Sequence, residues 1–286
     1  MINKSSPNIV AIIVTRNDND YLPSTLKALF PQVNHVIIID DGSSTPVKKL
    51  RETTNKECEV VRLRPHTISY VGRPELATRW NIGFKYAEKL DPDFILMMGS
   101  DHILESGYVK TLLNKINGSN VAIAGGRYIG EWYKPKNPGG SGRLIDAKWW
   151  KKFNGMRFPI NWGWESWVVY AAESQGKNVF CYYDVPTKLG RKIQMNSFKA
   201  YTWGKAAYCL GYLKIIGLLR CLLYFFRQPS WGISMAAGFL FHTDCKRYES
   251  WLLNIQQVRQ MNLFKHYIKL FLKYKRFSYV YNGFKT

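Results

Sequence analysis

HVIIIDDGSS, residues 35–44, decides the fold. His35–Ile39 is a short continuous run rich in Val and Ile. Its length and branching predict a strand buried on both faces, as in a parallel sheet. The run stops at two acids and a Gly/Ser turn, and the same plan recurs on either side. NIVAIIVT (8–15) predicts a strand ending in Thr15, Arg16 and Asn17. DFILMM (93–98) predicts another ending in Gly99, Ser100, Asp101 and His102. Cys58–Leu63 alternates like a further strand. Between these runs, Asp18–Phe30 carries Leu22, Leu26, Leu29 and Phe30 at helical spacing, and Arg73–Leu90 predicts a second helix containing Asn81 and Gly83. Strand and helix alternate with short connections, so the expected class is α/β, a doubly wound, mostly parallel sheet. Ligands bind beyond the carboxyl ends of such strands, where these polar residues collect.

Composition narrows the partners. The chain has 286 residues, 46% hydrophobic and 21% charged, which suits a packed core rather than disorder. Lys and Arg number 41 against 20 acids, a net charge of +21 that calls for an anionic partner. The excess is skewed: from Pro186 onward 17 basic residues face two acids, a balance of +15. That last third is also aromatic and apolar. The combination suits an anionic membrane surface better than nucleic acid, which is set aside. The five cysteines are scattered, without CxxC or Cys/His spacing, so zinc is not expected and a reducing compartment is. The apolar stretch Ile9–Val14 is too short for a signal peptide. The expected location is the cytoplasmic face of the cell membrane.

Beyond residue 120 the pattern changes. Val121–Gly126 reads as a strand, Gly130–Gly142 as a long loop, Ser166–Glu173 as a helix and Asn178–Tyr183 as a late strand. Trp149, Trp150, Trp162, Trp164 and Trp167 crowd one stretch. From Ser197 the chain reads as helical and interfacial. Leu210–Phe226 is apolar but carries Lys214 and Arg220. Gln228–Thr243 has sixteen residues free of Lys, Arg, Asp and Glu. A spanning helix needs about 20 apolar residues, so a re-entrant or surface-lying helix is expected there. On a helix of Asn262–Arg276, Lys265, Lys269, Lys273 and Arg276 fall on one side and Phe264, Tyr267, Ile268 and Phe271 on the other. That predicts a basic, amphipathic, membrane-associating helix, the alternative being a helix packed on the protein's own core.

Three constellations carry chemistry, each with a plainer alternative. Asp40 at a strand end is placed to accept hydrogen bonds from a ribose or base edge; the alternative is a turn cap. Asp101 beside His102 is placed to hold a divalent cation bridging a diphosphate; the alternative is a helix cap. Glu165, set among Trp residues, suits a general base whose pKa is raised; the alternative is an acid stabilised at a helix N-terminus.

Their order adds what none gives alone. The strand ending Thr15-Arg16-Asn17, then IIIDDGSS (37–44), TRWNIGFKYA (78–87), ILMMGSDHIL (95–104) and GWES (163–166) together resemble the family 2 glycosyltransferases of the GT-A fold. The resemblance covers roughly residues 8–185. It implies a nucleotide-diphosphate sugar donor of UDP or GDP type and Mg²⁺ or Mn²⁺. It implies that Asp40, with Thr15, Arg16 and Asn17, holds the nucleoside, that Asn81 and Ser100 line the donor site, that Asp101 (with His102) holds the metal, and that Glu165 is the base of an inverting transfer. Gly99 stands where the family usually has the first Asp of Asp-x-Asp, and Ser166 where it has a second acid. The segment VPTKLGRKIQMNSFKAYTWGKAAYCLGY (185–212) resembles membrane-associated members acting on polyprenyl phosphates or lipid-linked glycans. There Arg191 and Lys192 would neutralise a diphosphate or lipid phosphate, or form a solvated basic loop. The implied organisation is a catalytic domain at 1–190 and a basic membrane-association region at 191–286. The alternatives are a soluble acceptor with only a membrane anchor, and a non-catalytic binding protein on a degenerate GT-A fold.

Overall fold

The computed structural model describes residues 6–47, 58–130, 137–191, 195–241 and 245–274, without the side chains of 266–268 and 270–274. Lys192, part of the 130–142 loop, His242 and Thr243, Arg276, and the side chains of Tyr267, Ile268, Phe271 and Lys273 therefore lie outside the description. The chain divides into two compact units. The first comprises 1–69, 78–158 and 177–192; the second comprises 70–77, 159–176 and 193–286. The division is interleaved, where the sequence suggested one cut near residue 190.

The first unit is a mixed sheet clothed by helices. Its elements are β1 (Ile9–Thr15), α1 (Leu22–Leu29), β2 (His35–Asp40), β3 (Cys58–Arg62), α2 (Glu75–Glu88, its first turn grouped with the second unit), β4 (Phe94–Gly99), β5 (His102–Ile103), α3 (Tyr108–Ile116), β6 (Val121–Tyr128), β7 (Arg143–Asp146), α4 (Ala147–Asn154) and, counted in strand order, β8 (Asn178–Leu189). The strand order is β3-β2-β1-β4-β7-β6-β8-β5. The β1–β2, β1–β4, β2–β3 and β6–β8 pairs are parallel, and β4–β7, β6–β7 and β5–β8 antiparallel. The predicted strands β1, β2, β3, β4, β6 and β8 are all present. β7 was not expected: it closes the stretch read as loop, and β8 runs on to Leu189 instead of stopping near Tyr183. The turn after β4 is no helix start either, because His102–Ile103 is a strand.

Alternation along the central strands covers both faces of the sheet. Ile9, Ala11, Ile13, Ile38, Leu96 and Met98 pack with Leu22, Leu26 and Leu29 of α1 and Val109 and Leu112 of α3. On the other face Gly83 lets α2 lie directly on β1; a Cβ there would come within 2.5 Å of Ile12 Cγ2. Phe84 of α2 meets Trp150 of α4 edge-on at 4.6 Å, and both rings meet Phe158, at 5.3 and 5.0 Å. Such aromatic packing adds about 0.5–1.5 kcal/mol per pair to the burial itself.

The second unit is helical: α5 (Trp164–Ser174), α6 (Ser197–Cys209), α7 (Lys214–Arg227), α8 (Pro229–Leu240) and α9 (Ser250–Tyr274). Asn196 caps α6, its Oδ1 accepting from Lys199 N at 2.8 Å. α6 and α8 touch through backbone. A Cβ on Gly204 would sit 2.1 Å from Met235 O, and one on Gly238 2.1 Å from Tyr201 O. α5 pairs with α9 through Glu173 and Arg259 at 3.3 Å and through the edge-on rings of Trp167 and Trp251. No helix among the described residues is long and apolar enough to cross a membrane.

Candidate active site

The parallel register places three strand ends side by side, with Thr15 opposite Asp40 and Val14 opposite Gly99. The turns leaving them meet a fourth segment. β5 pairs with the end of β8, His102 opposite Leu189, and Gly190 N donates to Asp101 O at 2.6 Å. That pairing delivers Arg191 to the turn after β4. Its Nε donates to Asp101 Oδ2 at 3.0 Å, and its terminal nitrogens to Asp18 Oδ1 at 2.8 Å and Asp18 Oδ2 at 3.4 Å. The guanidinium also lies 5.0 Å from the centre of the Tyr21 ring. Burial weakens the guanidinium's hold on its proton, but Asp101 and Asp18 outweigh that and push its pKa up. Ser100 fixes Asp18 from behind, its Oγ donating to Asp18 Oδ2 at 2.5 Å. Arg191 remains about half exposed while the two carboxylates are largely covered. One guanidinium thus bridges two acids at the mouth of the strand ends.

The nucleoside-side candidates are brought together at these turns, each holding the backbone around it. Asp40 is fully buried, and its two oxygens accept from Ser43 N at 2.9 Å and Val47 N at 3.2 Å. It shapes the loop after β2 and presents no oxygen outward. Asp41, also buried, is held by two side chains: its Oδ1 accepts from Arg79 Nε at 2.8 Å and lies 3.1 Å from His66 Nε2. Arg16 ties down the neighbouring segment, donating to Ile68 O at 2.7 Å and to His66 O. Asn17, in the left-handed region at φ 55°, clamps the β1 and β2 turns: its N–H donates to Ser43 Oγ and its Oδ1 accepts from Ser44 N. Thr15 is buried and accepts Asp41 N at its backbone oxygen.

Two expected ligands have their polar atoms engaged by other residues. Asn81 gives its Nδ2 to Phe158 O at 2.8 Å and takes Phe158 N at its Oδ1 at 2.7 Å, so it staples α2 to the segment after α4. His102 is fully buried, with Nδ1 2.6 Å from Ser141 Oγ and Nε2 bonded to Thr187 Oγ1. Both ring nitrogens are committed to hydroxyls, so this arrangement offers neither to a metal. Burial keeps the ring neutral, its pKa pushed down to about 4. Ser141 Oγ also takes Gly99 N at 2.6 Å. A Cβ at Gly99 would fall 3.2 Å from Asp101 Oδ1 and 3.3 Å from Ser141 Oγ, so a side chain there meets this network at once. His102→Ala is expected to destabilise the protein by about 2–4 kcal/mol, since it takes a partner from the buried Thr187 hydroxyl and the half-buried Ser141 hydroxyl and leaves a cavity. Urea unfolding of the purified variant measures this.

Glu165 belongs to the second unit. It sits in the first turn of α5, after Gly163, whose φ of 82° turns the chain into the helix. Trp164 and Trp167 are buried while Glu165 itself is exposed, so it does not sit in the apolar nest the sequence suggested. The same unit holds a cavity of about 740 Å³ whose lining includes Glu75, Ile160, Asn161, Trp162, Lys246 and Tyr248.

A family model, glycosyl transferase family 2, matches residues 10–173, more than half of the chain. The chain belongs to glycosyl transferase family 2. A comparison with curated protein sequences finds no match. Among solved structures, the chain is similar to the mannosyltransferase PcManGT from Pyrobaculum calidifontis in complex with GDP-Man and Mn²⁺, at 10% identity and TM-score 0.55, over 98% of this chain and 85% of that one. It is also similar to S. aureus TarS 1–349 in complex with UDP-GlcNAc, at 17% identity and TM-score 0.53, over 82% of this chain and 71% of that one. At such identities the likeness is one of fold, and it agrees with the GT-A arrangement.

For a family 2 member, the notable addition is Asp18. Sequence reading passed over it because it lies among Asn17, Asn19 and Asp20 in an ordinary polar turn. Only the β5–β8 pairing shows that it shares a cation with Asp101. Asp41, His66 and Arg79 were likewise missed. The one signal for them was the second acid of the DDGSS turn. Among the described residues, no group of three or more His, Cys, Asp and Glu side chains converges as a metal cage.

Proposed function

We propose that this family 2 glycosyltransferase is an inverting enzyme that takes a sugar from a nucleoside diphosphate donor and passes it to a lipid-linked or membrane-proximal acceptor, a polyprenyl phosphate or a glycan. The observation that carries the donor half is the Arg191 bridge between Asp18 and Asp101 at the strand ends. Two carboxylates and a guanidinium form a site for a divalent cation and a diphosphate together. The two similar structures, in complex with GDP-Man and with UDP-GlcNAc, support a donor of GDP or UDP type.

The donor set fits Mg²⁺ or Mn²⁺. Asp18 and Asp101 offer hard oxygen ligands, and such ions are commonly held by one or two carboxylates plus substrate phosphates. When bound, the ion offsets the negative charge that builds on the departing diphosphate. Arg191, released from its two acids, turns its fork to the phosphate oxygens. Arg16 and Asn17 hold the loops against which the nucleoside rests, and Asp41 with Arg79 and His66 supplies its polar edge. Glu165 takes the proton from an attacking acceptor hydroxyl. If the acceptor is a phosphate, which needs no deprotonation near neutral pH, Glu165 positions it instead. Trp162 and the 740 Å³ cavity offer a stacking face and room of the size sugar sites use. The five cysteines are free thiols, which suits a reducing compartment and the cytoplasmic face of the membrane.

Thermal unfolding with UDP, GDP and CMP, each with and without Mn²⁺, tests the donor reading. One nucleoside diphosphate with Mn²⁺ is expected to stabilise the protein by about 2–3 kcal/mol at a hundredfold excess over Kd, a rise of several degrees. The absence of a shift with all three would sink the nucleotide-donor reading.

A further inference from the structure

We infer that α7 docks on an anionic lipid surface through an outward-facing apolar stripe. The inference deepens the membrane-proximal reading above and rests on it.

A surface helix usually turns its polar face to water and its apolar face inward. α7 turns apolar side chains outward as well as inward. Ile215, Leu218, Leu219, Leu222, Phe225 and Phe226 recur at helical spacing and are all exposed, Phe226 at 77%, Ile215 at 62% and Leu222 at 49%. Its inward side packs through small residues. Gly217 lies against the Phe239 ring, and Cys221 packs with Ala200 of α6 and Met235 of α8. Arg220 is drawn to Tyr212, donating to its hydroxyl at 3.3 Å, and lies 5.7 Å from the Trp203 ring centre. α8 also exposes Ile233 and Leu240, and Phe241 just beyond it is exposed too. Water does not favour so large an apolar patch, and patches of this kind mark interaction surfaces.

Charge and length select the occupant. The two ends of the stripe are framed by exposed Lys214 and Arg227, and the chain from Pro186 on has 17 basic residues against two acids. An apolar face framed by cations fits acyl chains beneath anionic headgroups. α7 has 14 residues, about 21 Å at 1.5 Å per residue, short of the roughly 30 Å hydrocarbon core, so it lies in the interface rather than across it. The sequence predicts a re-entrant or surface-lying helix at Gln228–Thr243 and a basic amphipathic one at Asn262–Arg276; the α7 stripe is a further surface beside these.

The test is co-sedimentation of the full chain with vesicles of phosphatidylglycerol and phosphatidylcholine, and with phosphatidylcholine alone. The wild type is expected to bind the anionic vesicles, and Leu222→Glu/Phe226→Glu to bind them at least tenfold more weakly. Circular dichroism and an unchanged melting temperature show that this variant is folded. Lys214→Glu/Arg227→Glu is a second, independent variant, expected to weaken binding to the anionic vesicles and to flatten its salt dependence. Wild type that binds neither vesicle overturns both this inference and the membrane-proximal reading. Binding that both double variants retain in full overturns the inference alone, because the lipid contact then lies elsewhere. A wild-type dimer that Leu222→Glu/Phe226→Glu converts to a monomer, without vesicle binding, also overturns it by showing that a second copy covers the face.

Discussion

Glu165→Gln is expected to lower transfer to a hydroxyl acceptor by roughly 10²–10⁴-fold, with donor binding unchanged. The amide keeps the size of the side chain and removes only its capacity to take a proton. The location argues for this role. Glu165 opens α5 and is exposed, so its carboxylate is open to an acceptor hydroxyl. Its charge is felt by Lys199, whose pKa burial pulls down and Glu165 pushes back up. The acceptor's chemistry decides the size of the effect. A phosphate acceptor arrives without a proton to lose, so the same substitution would then raise KM and leave kcat nearly intact. Steady-state kinetics on a hydroxyl-bearing glycan and on a polyprenyl phosphate separate the two cases. Full activity of the variant on both would remove Glu165 from the chemistry.

Asp101→Asn is expected to abolish the Mn²⁺-dependent part of the nucleotide-induced thermal shift and to cut transfer by roughly 10²–10³-fold, the scale of losing one electrostatic contact to a transition state. Asn preserves the shape and the backbone bond to Gly190, so the turn should survive. What it removes is one of the two charges that Arg191 spans. Asp18→Asn is expected to act in the same direction. If Asp101→Asn keeps the full Mn²⁺-dependent shift, then Asp101 serves only to hold Arg191, and the metal reading fails.

Much of the first unit was legible because buried parallel strands leave a plain mark. β1, β2 and β4 are unbroken apolar runs ending in polar turns, and their order alone points to the sheet. β7 left no such mark: Arg-Leu-Ile-Asp is four residues long, and its pairing between β4 and β6 is made by tertiary contact. The site was half legible. Asp101 and Arg191 were singled out, but not their contact, because 90 positions separate them and a two-residue strand brings them together. Asp40, Asn81 and His102 were read as ligands because they are polar residues in matching blocks. Such residues also hold the backbone of a site, and only the hydrogen bonds distinguish the two roles.

The interleaving of the two units bears on how this enzyme can be altered by recombination. The chain passes from one unit to the other five times, after residues 69, 77, 158, 176 and 192. No single crossover exchanges the second unit whole. A graft of residues 193–286 from a relative would bring α6 to α9 but leave α5, with Glu165, and the segment at 70–77 as the host's own. New specificity on this scaffold is therefore reached more readily by substitutions in place than by cassette exchange, and a chimera needs three segments transferred together.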